Sequence, residues 1–132
     1  MVVTQISVFL ENKAGQLAEI TKEINEAGIN IKAISIAEAS EYGLARLITA
    51  DNEKTVKVLN EKGYAAKLCK VESVRVYDRP GSLNEILQTL ADAGIDVQYM
   101  YSVLGFDGTA YMIIKADDPE ALEKALAAKG IN

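Results

Sequence analysis

The chain has 132 residues, of which 49% are hydrophobic and 25% charged, the balance of a folded domain rather than a disordered or fibrous chain. A net charge of −5 argues against nucleic-acid partners, since a phosphate-backbone surface needs clustered Lys and Arg. Histidine is absent, cysteine occurs once, and no apolar run approaches the roughly 18 residues of a membrane span.

In chain order, residues 3–10 read as a strand, with Thr4, Ile6, Val8 and Leu10 on one face and Phe9 on the other. A helix is predicted over 15–27, where Leu17, Ile20, Ile24 and Ala27 recur opposite Glu19, Lys22, Glu23 and Glu26. Strands over 30–38 and 44–50 follow. They are joined by Ala39-Ser40-Glu41-Tyr42-Gly43, a hairpin connection with Gly43 best able to take positive φ. A helix over 52–62 turns Val56 and Leu59 inward and closes at Gly63, and residues 64–70 return as a fourth strand. Cys69 in that apolar run is expected to be a buried, inert thiol.

The order then begins again, with a strand over 72–77, a helix over 82–93, strands over 96–104 and 109–116, and a helix over 119–129. Asp117 and Asp118 precede Pro119 at that last helix start, where capping and the helix dipole account for both carboxylates. No Pro or Gly interrupts residues 64–77, so the fourth strand is predicted to run directly into the fifth. After Gly130 only Ile131 and Asn132 follow. The second set's last strand is either supplied from elsewhere or not reached.

The two sets are copies. Glu11 to Ile31 and Tyr77 to Val97 align at a constant offset of 66, from Gly15 on Gly81 to Ile29 on Ile95. Such a register over turn, helix and strand entry marks a duplicated supersecondary unit. The expected units are residues 1–70 and 71–132. Each has β-α-β-β-α-β order, the ferredoxin-like split arrangement with helices on one face of an antiparallel sheet. Ser82-x-x-Glu85 reads as a capping box, Gln16-x-x-Glu19 as a poorer one, and Pro80 suits the first helical turn. Gly28 and Gly94 fit the positive-φ residue that ends a helix. A unit of this size buries only about 60% of its unfolded surface. Tyr111-Met112-Ile113-Ile114 and Leu44, Leu47 and Ile48 are apolar on both strand faces. A homodimer is therefore expected.

Asp78-Arg79-Pro80-Gly81-Ser82-Leu83, followed by Ile86, Leu90 and Gly94-Ile95-Asp96-Val97, resembles the signature of ACT domains, small amino-acid-sensing regulatory modules. Asn12-Lys13-Ala14-Gly15-Gln16-Leu17 through Gly28-Ile29-Asn30-Ile31 is similar, with Ala14 where the family usually has Pro. The resemblance covers nearly the whole chain as two tandem α+β units. It implies a non-catalytic regulatory protein that binds an amino acid at the junction loops, at an interface of two such units, and acts on an enzyme of amino-acid metabolism.

The residues support binding over catalysis. Without His or a Cys/His pair, no nucleophile–base set or metal site is legible, and no catalytic residue, metal or cofactor is expected. Gly15 and Gly81 stand alone, in neither a dinucleotide fingerprint nor a phosphate loop. A strand-loop-helix junction offers free N–H groups to a carboxylate, and Gly15 or Gly81 lets a ligand approach the backbone. Asn12 or Asp78 could accept from its ammonium, and Asn30 or Asp96 is expected at the same end of the sheet. The candidate set is Asn12, Ala14, Gly15, Gln16, Leu17, Asn30 and Ile31 in the first copy. In the second it is Asp78, Arg79, Pro80, Gly81, Ser82, Leu83, Asp96 and Val97. Tyr99, Tyr101, Phe106 and Tyr111 cluster in the second half, chiefly as packing residues. The rival readings are a ligand-free interaction module and, through Arg79, an acyl-phosphate hydrolase of a related fold. The start Val2-Val3-Thr4-Gln5-Ile6 shows no secretory leader, so the cytoplasm is the expected location.

Overall fold

The computed structural model describes residues 1–38, 41–104 and 109–132, with Leu104 described by its backbone alone. Ala39 and Ser40 of the predicted hairpin connection, and Phe106 of the aromatic set, lie outside the described residues. The element order is β1 (Val2–Glu11), α1 (Gln16–Glu26), β2 (Ile31–Glu38), β3 (Tyr42–Thr49), α2 (Asn52–Glu61), β4 (Ala66–Val76), α3 (Ser82–Asp92), β5 (Tyr99–Leu104), β6 (Ala110–Lys115) and α4 (Pro119–Ala127). The chain divides into two compact units, Thr4–Cys69, and Lys70–Asn132 together with Met1–Val3.

In the unit Thr4–Cys69 the strand order is β2-β3-β1-β4. Strand β3 pairs antiparallel with both β1 and β2, Ala45 lying opposite Val8 and Ile36. Ile6, Val8 and Leu10 alternate along β1 and pack with Ile20 and Ile24 of α1 and Leu59 of α2. Each such side chain, fully buried, contributes about 1.5–3 kcal/mol. Phe9 points the other way and stacks on Tyr42, ring centroids 4.7 Å apart.

The second unit repeats this with the order β1-β4-β6-β5. Val74, Met112 and Ile114 meet Ile86 and Leu90 of α3 and Leu122 and Leu126 of α4. Both second helices are capped alike: Asp51 accepts from Lys54 N–H and Asp118 from Ala121 N–H, each at 3.0 Å. These caps are 67 residues apart, one more than the offset of the loops, so the copies slip by one position before α4.

Strand β4 is continuous over 11 residues, as the uninterrupted stretch predicts. The fourth strand missing from the second copy is found at the start of the chain. Ser73 N–H donates to the Met1 carbonyl at 2.9 Å, and Arg75 N–H donates to the Asn132 carbonyl at 2.8 Å. Two separate pieces of chain thus flank β4 where the first unit has one.

Several local expectations are corrected. Gly43 has no positive φ; it is extended in β3 opposite Leu10. Cys69 is partly exposed, its Sγ 3.4 Å from Gln5 Nε2. Asp117 does not cap α4; it accepts from Gln98 Nε2. The second strand of the second copy begins at Tyr99 rather than 96. Of the residues read as covered on both faces, Ile113 is buried, whereas Leu44, Ile48 and Tyr111 are half-buried.

Candidate functional site

The two junction loops are built bond for bond alike. After β1, Lys13 N–H bonds to the Glu11 carbonyl at 2.9 Å; after β4, Arg79 N–H bonds to the Tyr77 carbonyl at 2.9 Å. A turn follows in each, Gln16 N–H to Lys13 carbonyl (3.5 Å) and Ser82 N–H to Arg79 carbonyl (3.3 Å). Its third residue is Gly15 (φ 85°, ψ −9°) or Gly81 (φ 88°, ψ −12°), the geometry of a type II turn.

Pro80 and Ala14 therefore occupy the second turn position and not the first helical turn. The capping boxes are not formed either, because the helix N-caps are the glycines, which have no side chain to accept a bond. Gln16 and Ser82 instead reach backward: Gln16 Oε1 accepts from Glu11 N–H and Ser82 Oγ from Tyr77 N–H, each at 3.0 Å. Both are buried and lock the loop to the strand end. The N–H groups of the first helical turn lack intrahelical partners and lie at the positive end of the helix dipole.

Asn12, Ala14, Gly15, Asp78, Arg79, Pro80 and Gly81 are exposed at these loops, and Leu17 and Leu83 are half-buried behind them. Asn30, Ile31, Asp96 and Val97 are elsewhere. Glu11 pairs with Tyr42, whereas Ile31 pairs with Thr49 at the other end of β3. Likewise Val76 pairs with Ala110, whereas Tyr99 pairs with Lys115. An 11-residue helix at about 1.5 Å per residue carries the chain back along the sheet, so the strand after it starts at the far end. The expectation that Asn30 and Asp96 share an end with the loop of their own unit is thereby corrected. Asn30 and Ile31 line a shallow groove along α1 with Thr21, Lys22 and Asn25.

The second loop opens on a sizeable cleft. It has about 700 Å³ and runs from Arg79 and Ser82 past Arg75 and Tyr111 to Lys129 and Asn132. The Arg75 guanidinium lies 5.9 Å from the Tyr111 ring centroid, with Nη2 3.3 Å from the hydroxyl. Arg79 pairs with Glu85 at 3.5 Å. At the inner end Glu72, 2% exposed, and Glu123 hold the Met1 ammonium. Burial pushes the Glu72 carboxyl above its ordinary range, the ammonium pulls it down and Glu123 pushes it up again. Arg75, Glu72, Tyr111 and Lys129 were not legible as site residues. The available signal was a break in the repeat, since Arg75 falls on Phe9.

Residues 1–131 match the family described as an ACT domain pair. The chain is an ACT domain pair. Protein BT0572 from Bacteroides thetaiotaomicron is similar at 32% identity over 100% of this chain and 91% of that one, with a TM-score of 0.93. The ligand-free regulatory subunit of aspartate kinase from Thermus thermophilus matches this ACT pair in fold. Its TM-score is 0.67 at 18% identity, over 97% of this chain and 96% of that one. Aspartate kinase from Synechocystis matches at a TM-score of 0.63 and 15% identity, over 96% of this chain and 25% of that one. No curated protein matches. No helix among the described residues of this ACT pair is long and apolar enough to cross a membrane.

Proposed function

We propose that this ACT domain pair is a non-catalytic regulatory protein that binds a small effector, an amino acid, at its strand-loop-helix junctions. The observation that carries the reading is the double occurrence of one loop, with its buried Gln16 or Ser82 clasp and positive-φ glycine. Such a loop presents backbone N–H groups rigidly to a carboxylate, while Asn12 or Asp78 can accept from an ammonium. Binding would favour one arrangement of a homodimer and so alter a partner enzyme of amino-acid metabolism, to the extent that the partner distinguishes the arrangements. The regulatory subunit of aspartate kinase, alike in fold, supports an enzyme partner of that kind. A cytoplasmic location goes with this role.

The test is thermal unfolding against the twenty amino acids at millimolar concentration. A ligand at 100 times its Kd adds about 2.7 kcal/mol, a shift of several degrees. A selective shift that Asp78→Ala or Asn12→Ala diminishes supports the reading. No shift with any amino acid would refute it and favour a ligand-free interaction module.

A further inference from the structure

Strand β2 ends the strand order of its unit. It pairs with β3 on one side and, among the described residues, with no strand on the other. That free side is a row of backbone N–H and C=O groups open to pairing with another strand. Ile34 and Ile36 lie opposite the buried Leu47 and Ala45 of β3, which places both on the helix-covered face. They are nevertheless 44% and 47% exposed. In the second unit the corresponding strand, β5, has Tyr99, Met100, Tyr101 and Val103 half-buried instead.

Edge strands of monomers are commonly blunted by proline, by shortness or by a charge within the strand. β2 is 8 residues long and has no proline, and its two charges, Lys32 and Glu38, stand toward its two ends. A register shift against β3 is confined to Ile31 and Ala33, at the Lys32 end. Both charged residues are exposed, and neither has an ion pair among the described residues.

Laid antiparallel beside a second copy, β2 is self-complementary in one register. With Ser35 on the twofold axis, Ile34 lies beside the partner's Ile36, Ala33 beside the partner's Ala37, and Lys32 beside the partner's Glu38. Symmetry makes each pair twice, so both charges are answered and the isoleucines cover one another. A slip of two residues sets Lys32 beside the partner's Ile36, or Glu38 beside the partner's Ile34. A slip of one sets an isoleucine opposite Ser35, whose side chain belongs to the other face. Parallel pairing in register brings like charges together at both ends, which is destabilising.

We propose that β2 is the contact strand of a homodimer, pairing antiparallel with β2 of a second copy about Ser35. The sheet then continues from one copy into the other, and the free backbone groups of the edge gain partners. This rests on the homodimer in the proposed function and gives it an interface; it does not depend on which effector binds.

Sedimentation velocity of the full chain over a concentration series tests it, and a dimer is expected. Lys32→Glu and Glu38→Lys should each raise its dissociation constant about tenfold or more, because each sets two like-charge pairs across the axis. Combining the two substitutions should restore the dimer. Within one strand these residues are about 20 Å apart at roughly 3.3 Å per residue, so that rescue arises only between copies. Ile36→Lys should leave a monomer. Ser35→Cys, in a Cys69→Ser background, should crosslink to itself under mild oxidation, since opposed residues lie about 4.5–5.5 Å apart. A monomer at every concentration, a dimer indifferent to both single charge variants, or a double variant as weak as the singles would each overturn the inference. Thermal shifts with amino acids are read separately, so a dimer formed elsewhere that still responds to one overturns this interface and spares the effector reading.

Discussion

At the scale of single residues, the loops depend on two glycines at positive φ, and the cleft on one buried carboxyl. A Cβ at Gly81 would meet nothing within 4 Å, so Gly81→Ala tests backbone conformation alone. It should cost about 1–2 kcal/mol, the penalty of the left-handed region for an L-residue, read as a lower midpoint in urea. Gly43→Ala is the control: its φ is not positive and its nearest contact would be the Ala37 carbonyl at 3.4 Å, so the loss should be smaller. Glu72 makes a pH prediction. Its folded-state pKa is raised above 4.5, mainly by burial, so the native state holds that proton more tightly than the unfolded chain. The resulting stability is present below the unfolded value and is lost as pH rises through the folded one. Glu72→Gln should remove that part of the decline, seen as a flatter stability profile from pH 4 to 7. An unchanged profile would mean the carboxyl is not desolvated.

At the scale of elements, helix starts separate into two kinds, and this is testable. Helices α2 and α4 begin with an aspartate cap, whereas α1 and α3 begin at glycine and are tied back to the preceding strand. Asp51→Ala and Asp118→Ala should each cost about 1 kcal/mol. Each loss should appear in hydrogen exchange as faster opening of its own unit. The element order was legible because periodicity and the offset of 66 are local properties of the chain. The continuous β4 was legible for the same reason, no Pro or Gly breaking it. What was not legible is non-local. That Met1–Val3 completes the strand beside Ser73, or that Ile31 lies at the opposite end of the sheet from Glu11, depends on pairings no window of sequence contains. Ser82 and Gln16 misled for a related reason. A polar residue three before a glutamate fits a capping box, but the glycine ahead of it had already taken the N-cap position.

At the scale of the whole molecule, duplication of one unit fits the match to an ACT domain pair. The loops themselves, Asn12 to Leu17 and Asp78 to Leu83, could be read from the chain because their glycines and polar residues recur. The cleft could not, since Arg75, Arg79, Tyr111 and Lys129 come from separate elements that no window of sequence brings together. The central claim is that these junctions bind an effector, and amide NMR of the full chain tests it most directly. Each of the twenty amino acids would be titrated while the Gly15–Leu17 and Gly81–Leu83 amides are followed. The account predicts saturable shifts at Gly81, Ser82 and Leu83 with at least one of them. Both loops remaining unmoved throughout the series would contradict it.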